Sequence, residues 1–153
     1  MSEANKALIR RWFDEVWNQG SEEAIDEMMA DDVSIYALPP ETMSSREAFK
    51  EFYRPFIAAF PELHVSVEEV FAEGDRVGFR CRVQATHRNG RRCQFDGGGF
   101  ARVRDGKLAE GHNVWNFHEL LEQLGAIPPN ALMDAVSGAG GSSSTRIEPR
   151  PRG

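Results

Sequence analysis

The sequence predicts an α+β domain in which a curved antiparallel sheet, bent into half a cone, is covered on its apolar face by N-terminal helices. Three observations carry that prediction. Apolar residues recur at helical spacing as far as Phe60 and alternate strictly from Leu63 onward. Asn89-Gly90 and Asp105-Gly106 punctuate the alternating half as tight turns. Gly97-Gly98-Gly99 interrupts a strand, where glycine marks a bulge, a bend or the close approach of another group. Helices segregated from an antiparallel sheet define the class.

The chain has 153 residues, the length of one domain with its own core. Residues 1–130 are expected to form that domain and residues 137–153, rich in glycine and serine, a disordered tail. A net charge of −6, from 24 acidic and 18 basic residues, argues against nucleic acid as a partner. No apolar run approaches the ~20 residues of a membrane span, and the N-terminus lacks the apolar core of a signal peptide. The expected setting is therefore cytoplasmic, with no membrane partner. Cys81 and Cys93 fall in strand-like runs and read as buried free thiols. The histidines and cysteines lack metal-ligand spacing, so no metal is expected.

Taken in order, residues 3–19 carry Leu8, Ile9, Trp12, Phe13, Val16 and Trp17 on one broad helical face, stopped by Gly20. Ser21 caps a second short helix, and Val33 to Tyr36 reads as a brief strand ended by Pro39-Pro40. Ser44-x-x-Glu47 has the form of a capping box opening a helix through Phe60, with a kink or break expected near Tyr53-Arg54 because Pro55 removes a backbone donor. Four strands follow as a meander, beginning near Leu63, Arg76, Arg91 and Lys107. The glycine triplet reads better as a bend than as a phosphate cradle, since neither a lysine nor a helix start follows it. Phe117 to Leu124 closes the domain as a short helix.

Three segments carry a family likeness: NKALIRRWFDEVWNQGSEEAIDEMMADDV, AAFPELHVSVEEVFAEGDRV and VRDGKLAEGHNVWNFHELLEQLGAIP. They resemble the SnoaL-like polyketide cyclases of the nuclear-transport-factor-2-like (NTF2-like) superfamily over residues 5–128. The resemblance implies a cone-shaped NTF2-like α+β barrel, a cofactor-independent acid/base reaction in its cavity, and a homodimer through the outer sheet face. It also implies aspartates where this chain has Asn113 and Asn116, a polar partner where it has Gly99, and often histidine where it has Tyr36. Asparagine hydrogen-bonds but does not exchange protons near neutral pH.

The candidate site follows from that departure. His87 continues the apolar parity of its strand and is the expected base; Tyr36 and Asn113 are the expected hydrogen-bond donors to a developing oxyanion. Trp17, Phe56, Trp115 and Phe13 are the expected walls for a hydrophobic, carbonyl-bearing small molecule. His64 reads as surface. His112 has the opposite parity to Asn113 and is expected to face outward with Asn116, as are Asp96 and Glu110. Two functions compete: a cyclase, isomerase or hydrolase, and a non-catalytic binding or assembly module built on the same cavity. An accessory protein-interaction role is the third possibility.

Overall fold

The computed structural model describes residues 2–39, 41–138 and 151. Helix α1 (Ser2–Arg11) continues into a π-helical segment (Trp12–Asn18), followed by α2 (Glu22–Met28), β1 (Met29–Tyr36) and α3 (Arg46–Ala59). Strands β2 (Glu62–Glu73), β3 (Arg76–Thr86), β4 (Arg92–Arg104) and β5 (Lys107–Trp115) come next, then α4 (Phe117–Gln123) and α5 (Ala131–Ser137). The sheet order is β1-β5-β4-β3-β2. Strands β2 to β5 form the antiparallel meander. The expected all-antiparallel sheet is corrected at one edge: β1 is longer than Val33–Tyr36 and lies parallel to β5, making the sheet mixed. A parallel partner needs a crossover, which the helices and meander between β1 and β5 supply.

The concave face is read off the strand alternation. Val77, Cys81, Val83 and Ala85 of β3, and Cys93, Phe95, Ala101 and Val103 of β4, are all buried, while the residues between them are mostly exposed or partly so. Their register pairs like with like across the sheet, Val83 with Phe95 and Ala85 with Cys93. Both cysteines are free, and burial pushes the Cys81 thiol up to about 12. The Asp105-Gly106 turn has φ of 52° and 75°, the paired positive values of a type I′ hairpin.

The N-terminal helix differs from a plain α-helix where it matters most. In the segment Trp12–Asn18 the hydrogen-bond ladder widens, and Gln19 N–H reaches back to the Asp14 carbonyl at 2.9 Å. Residues five apart stand roughly 140° apart on an α-helix; the wider π turn brings Trp12 and Trp17 much closer to one side. Two groups hold it there. The buried Tyr53 hydroxyl of α3 donates to the Val16 carbonyl at 2.7 Å. The Asn18 side chain pairs with the Val65 backbone of β2, donating at 3.0 Å and accepting at 2.6 Å.

Helix α3 begins one residue later than the capping-box reading. Ser45, not Ser44, is the N-cap, its Oγ accepting from Ala48 N–H at 3.1 Å. The helix runs unbroken through Pro55, so the expected break is absent. Its buried Lys50 is satisfied by Asp26 of α2 at 2.7 Å. Helix α5 was not visible in the apolar pattern; its Leu132, Met133 and Val136 are exposed. It carries the chain through Ser137, where the tail was expected to begin, and residues 139–150 and 152–153 of that tail lie outside the described residues.

Replacing Tyr53 by phenylalanine leaves the Val16 carbonyl buried without its donor. The expected loss is about 1–3 kcal/mol of stability, read as a lower urea midpoint at unchanged slope.

Candidate functional site

A cavity of about 110 Å³ lies between the concave face and the helices. It is walled by Trp12, Phe13 and Trp17 of the first helix, Phe49, Phe52 and Phe56 of α3, and Phe79, Phe95, Trp115 and Phe117 on the sheet side. All three tryptophans of the chain line it. The rings meet mainly edge-on, as their quadrupoles prefer: Trp17 against Tyr53 at 5.2 Å and Phe56 at 5.7 Å, Phe13 against Phe79 at 5.3 Å and Trp115 at 6.0 Å. Among the described residues that line it, only Glu110 and Asn113 carry polar side chains, apart from the tryptophan indoles.

The glycine triplet explains how the sheet receives these rings. The β4 register is unbroken through Gly97–Gly99 on both sides, so no bulge lies there. A Cβ on Gly97 would sit 2.4 Å from the Trp115 ring, and one on Gly99 would sit 2.1 Å from the His112 carbonyl oxygen and 3.3 Å from the Phe79 ring. A Cβ on Gly98 would strike the Phe79 carbonyl at 2.2 Å. Neighbouring backbone and rings have folded in where these residues have no side chain. The triplet therefore serves a bend with close approach.

Asn113 follows from β5 parity. It pairs with Gly99, while Gly111 pairs with Ala101 and Trp115 with Gly97, which sets all three on the concave side. Its amide is clamped at both ends: Nδ2 donates to the Tyr36 carbonyl at 3.1 Å, and Oδ1 accepts from the Trp115 indole at 3.1 Å. One N–H and one lone pair stay free for a ligand.

The other expected donors are elsewhere. Tyr36 pairs in register with His112, and the two rings stack on the outer face at 4.6 Å and 15°. Val33 and Ile35 are buried in the second half of β1, so alternation turns the next residue, Tyr36, away from the cavity, whose lining does not include it. His87 is also outside the lining. It lies just past the end of β3, where its Nδ1 accepts from Asn89 N–H at 3.1 Å and its ring meets Phe60 at 5.3 Å. The structure thus brings Asn113 together with Trp17, Phe56, Trp115 and Phe13, but not with His87 or Tyr36. Asn116 caps α4, accepting from Glu119 N–H at 3.0 Å.

Glu110 contributes to the wall, yet its carboxylate belongs to the outer face. It meets His112 Nε2 at 2.7 Å and lies 3.7 Å from Arg102 Nε. The His112 hydrogen bond first, with the Arg102 charge behind it, holds the carboxylate below its ordinary range. Asp96 is likewise held low by Arg82 on that face. Among the described residues, no group of three or more His, Cys, Asp or Glu side chains could hold a metal ion.

Sequence reasoning passed over Phe52, Phe95 and Gly111 as wall residues. Phe52 shared the helical stripe of α3, and Gly111 shared the parity of Asn113, so both signals were present.

Comparison with known proteins follows the same architecture. The sequence profile of the SnoaL-like polyketide cyclase family matches residues 7–124. AclR from Streptomyces galilaeus, provisionally described as a hydroxylase, is 29% identical, with a TM-score of 0.73 over 89% of this chain and 91% of that one. Wild-type IdmH from Streptomyces antibioticus, provisionally described as a polyketide cyclase, is 27% identical, with a TM-score of 0.71 over 79% and 98%. A SnoaL-like protein from Jannaschia sp. CCS1 shares the fold at 21% identity and a TM-score of 0.75, over 83% and 95%. Among curated proteins, none matches this chain.

Gly97→Ala is expected to displace the Trp115 ring. Overpacking of this kind costs about 1–3 kcal/mol, to be read as a lowered melting temperature with a shifted tryptophan emission maximum.

Proposed function

Because the chain belongs to the SnoaL-like polyketide cyclase family, we propose that its cavity binds a hydrophobic, carbonyl-bearing small molecule, with Asn113 as the hydrogen-bond donor to the carbonyl oxygen. The observation that carries this reading is an aromatic cavity whose wall includes one neutral amide, Asn113. Protein interiors are close-packed, with few voids larger than a water molecule. A hollow of about 110 Å³ kept among aromatic side chains supports an apolar occupant. A volume of about 110 Å³ suits a compact ligand such as one ring better than a long polyketide chain.

Turnover is the second reading, favoured by the wall position of Glu110 and by the relatives, IdmH described as a polyketide cyclase and AclR as a hydroxylase. In it, Asn113 stabilises the oxyanion that forms when a proton leaves the carbon beside the carbonyl. The proton acceptor is then Glu110 released from His112, or His87 after the β3–β4 turn moves. The binding reading leads because neither group's acid/base atoms face the cavity as it stands.

Acetophenone, a one-ring ketone, serves as the probe. It is expected to quench the tryptophan emission saturably, and Asn113→Ala is expected to weaken it about 2- to 10-fold, the value of one hydrogen bond. Absence of saturable quenching would reject the binding reading. Deuterium entering its methyl group from heavy water faster than in buffer alone would establish the catalytic one.

The family expectation of a homodimer is proposed for the outer face, where Val114 is 70%, Phe71 60% and Phe100 54% exposed. Val114→Glu is then expected to convert a sedimenting dimer to monomer without lowering the melting temperature of the monomer unit.

A further inference from the structure

Most glycines in the sheet and its turns have a structural cause. Gly74, Gly90 and Gly106 hold positive φ in turns. Gly78, Gly97, Gly98 and Gly99 each have a neighbouring atom 2.1–2.4 Å from where a Cβ would lie. Gly111 has neither reason. It is absent from the positive-φ residues, and a Cβ built on it would meet only the Asn113 Nδ2, at 3.9 Å, an ordinary contact. The backbone accepts a side chain here, and glycine weakens a strand interior.

What the missing side chain leaves is a notch in the cavity wall. Gly111 sits in register between Ile35 of β1 and Ala101 of β4, and all three line the cavity. The notch adjoins the amide nitrogen of Asn113, which gives one N–H to the Tyr36 carbonyl and keeps the other. A Cβ on Gly111 would lie 3.9 Å from that nitrogen, so an atom lodged above Gly111 sits beside it.

We propose that Gly111 is a specificity-determining residue, its notch admitting the neutral acceptor oxygen of a one-ring ketone or similar ligand to the free N–H of Asn113. The oxygen is neutral because a carboxylate or phosphate would enter an apolar cavity without a cation, beside the wall that Glu110 completes. This inference rests on the ligand-binding reading above and adds the residue that selects among ligands.

The test uses a matched pair of probes, acetophenone and cumene, alike in shape but with and without the oxygen. Binding is followed by NMR of the protein amides, including the Asn113 side chain. In the unaltered chain, acetophenone is expected to bind about 2- to 10-fold tighter than cumene and to shift the Asn113 side-chain resonances. In Gly111→Val the melting temperature is expected to be equal or higher and cumene still to bind, while the preference for acetophenone falls to about unity. Gly111→Ala, whose methyl fits the 3.9 Å contact, is expected to reduce the preference part of the way and stands in if the valine variant does not fold. A preference left intact in both variants overturns the proposal. Equal binding of the two probes by the unaltered chain, with the Asn113 resonances unmoved, overturns it while leaving the cavity a ligand site. Binding of neither probe overturns both.

Discussion

Aromatic rings lie directly on a sheet whose glycines have made way for them, and the rest of the molecule depends on that contact. The Trp115 ring occupies the position a Cβ on Gly97 would take, and Phe79 lies close above Gly99. With ordinary side chains at these positions the rings would stand further off and the neighbouring backbones could not fold in. The sheet would be flatter, and the helices would cover it without a gap. The bend and the aromatic filling are thus one feature seen from two sides. The π-helical segment completes it from the opposite wall, turning Trp12 and Trp17 together toward the hollow, with Tyr53 and Asn18 fixing the segment to α3 and β2.

The same geometry separates the chemistry of the two sheet faces. Charged groups gather outside, where Arg82 meets Asp96, Arg80 meets Glu69, and Glu110 lies between His112 and Arg102. Inside, the one clamped amide stands among hydrocarbon. An unpaired charge in such a place costs several kcal/mol after relaxation, so a neutral polar group is what this wall can hold without a partner. Asparagine at position 113 fits that condition. It keeps hydrogen-bonding capacity while giving up the proton exchange that would need a charged partner nearby.

Much of this was legible in the residues. The change from helical to alternating period located the sheet, and the alternation of β5 set Asn113 and Trp115 on one side and His112 on the other. Tyr36 lies outside the cavity, as its parity allowed one to read: Val33 and Ile35 alternate inward in the second half of β1, and Tyr36, the next residue, has the opposite parity. His87 misled for a different reason. Parity counted past Thr86 continues into a turn, where alternation no longer has meaning. The parallel pairing of β1 with β5 left no local trace, because partners more than seventy residues apart are chosen by the assembled core. The π-helical segment was equally hidden, since Trp12, Phe13, Val16 and Trp17 read as an acceptable α-helical stripe. Gly111 could have been singled out only once the crowding around the other glycines was known.

A sheet that remains open has two margins, and here each is closed by a single residue. On β1, Ile35 exchanges both backbone hydrogen bonds with Met43, at 2.8 and 2.9 Å. On β2, Val65 exchanges both of its own with the Asn18 side chain. An unguarded strand margin is a template on which another chain can polymerise. An intruding strand would find its register interrupted midway along either border and would have to unseat the helix or loop that supplies the plug. Two small stoppers thus give this half-closed cone the resistance to runaway stacking that a full barrel obtains by having no borders.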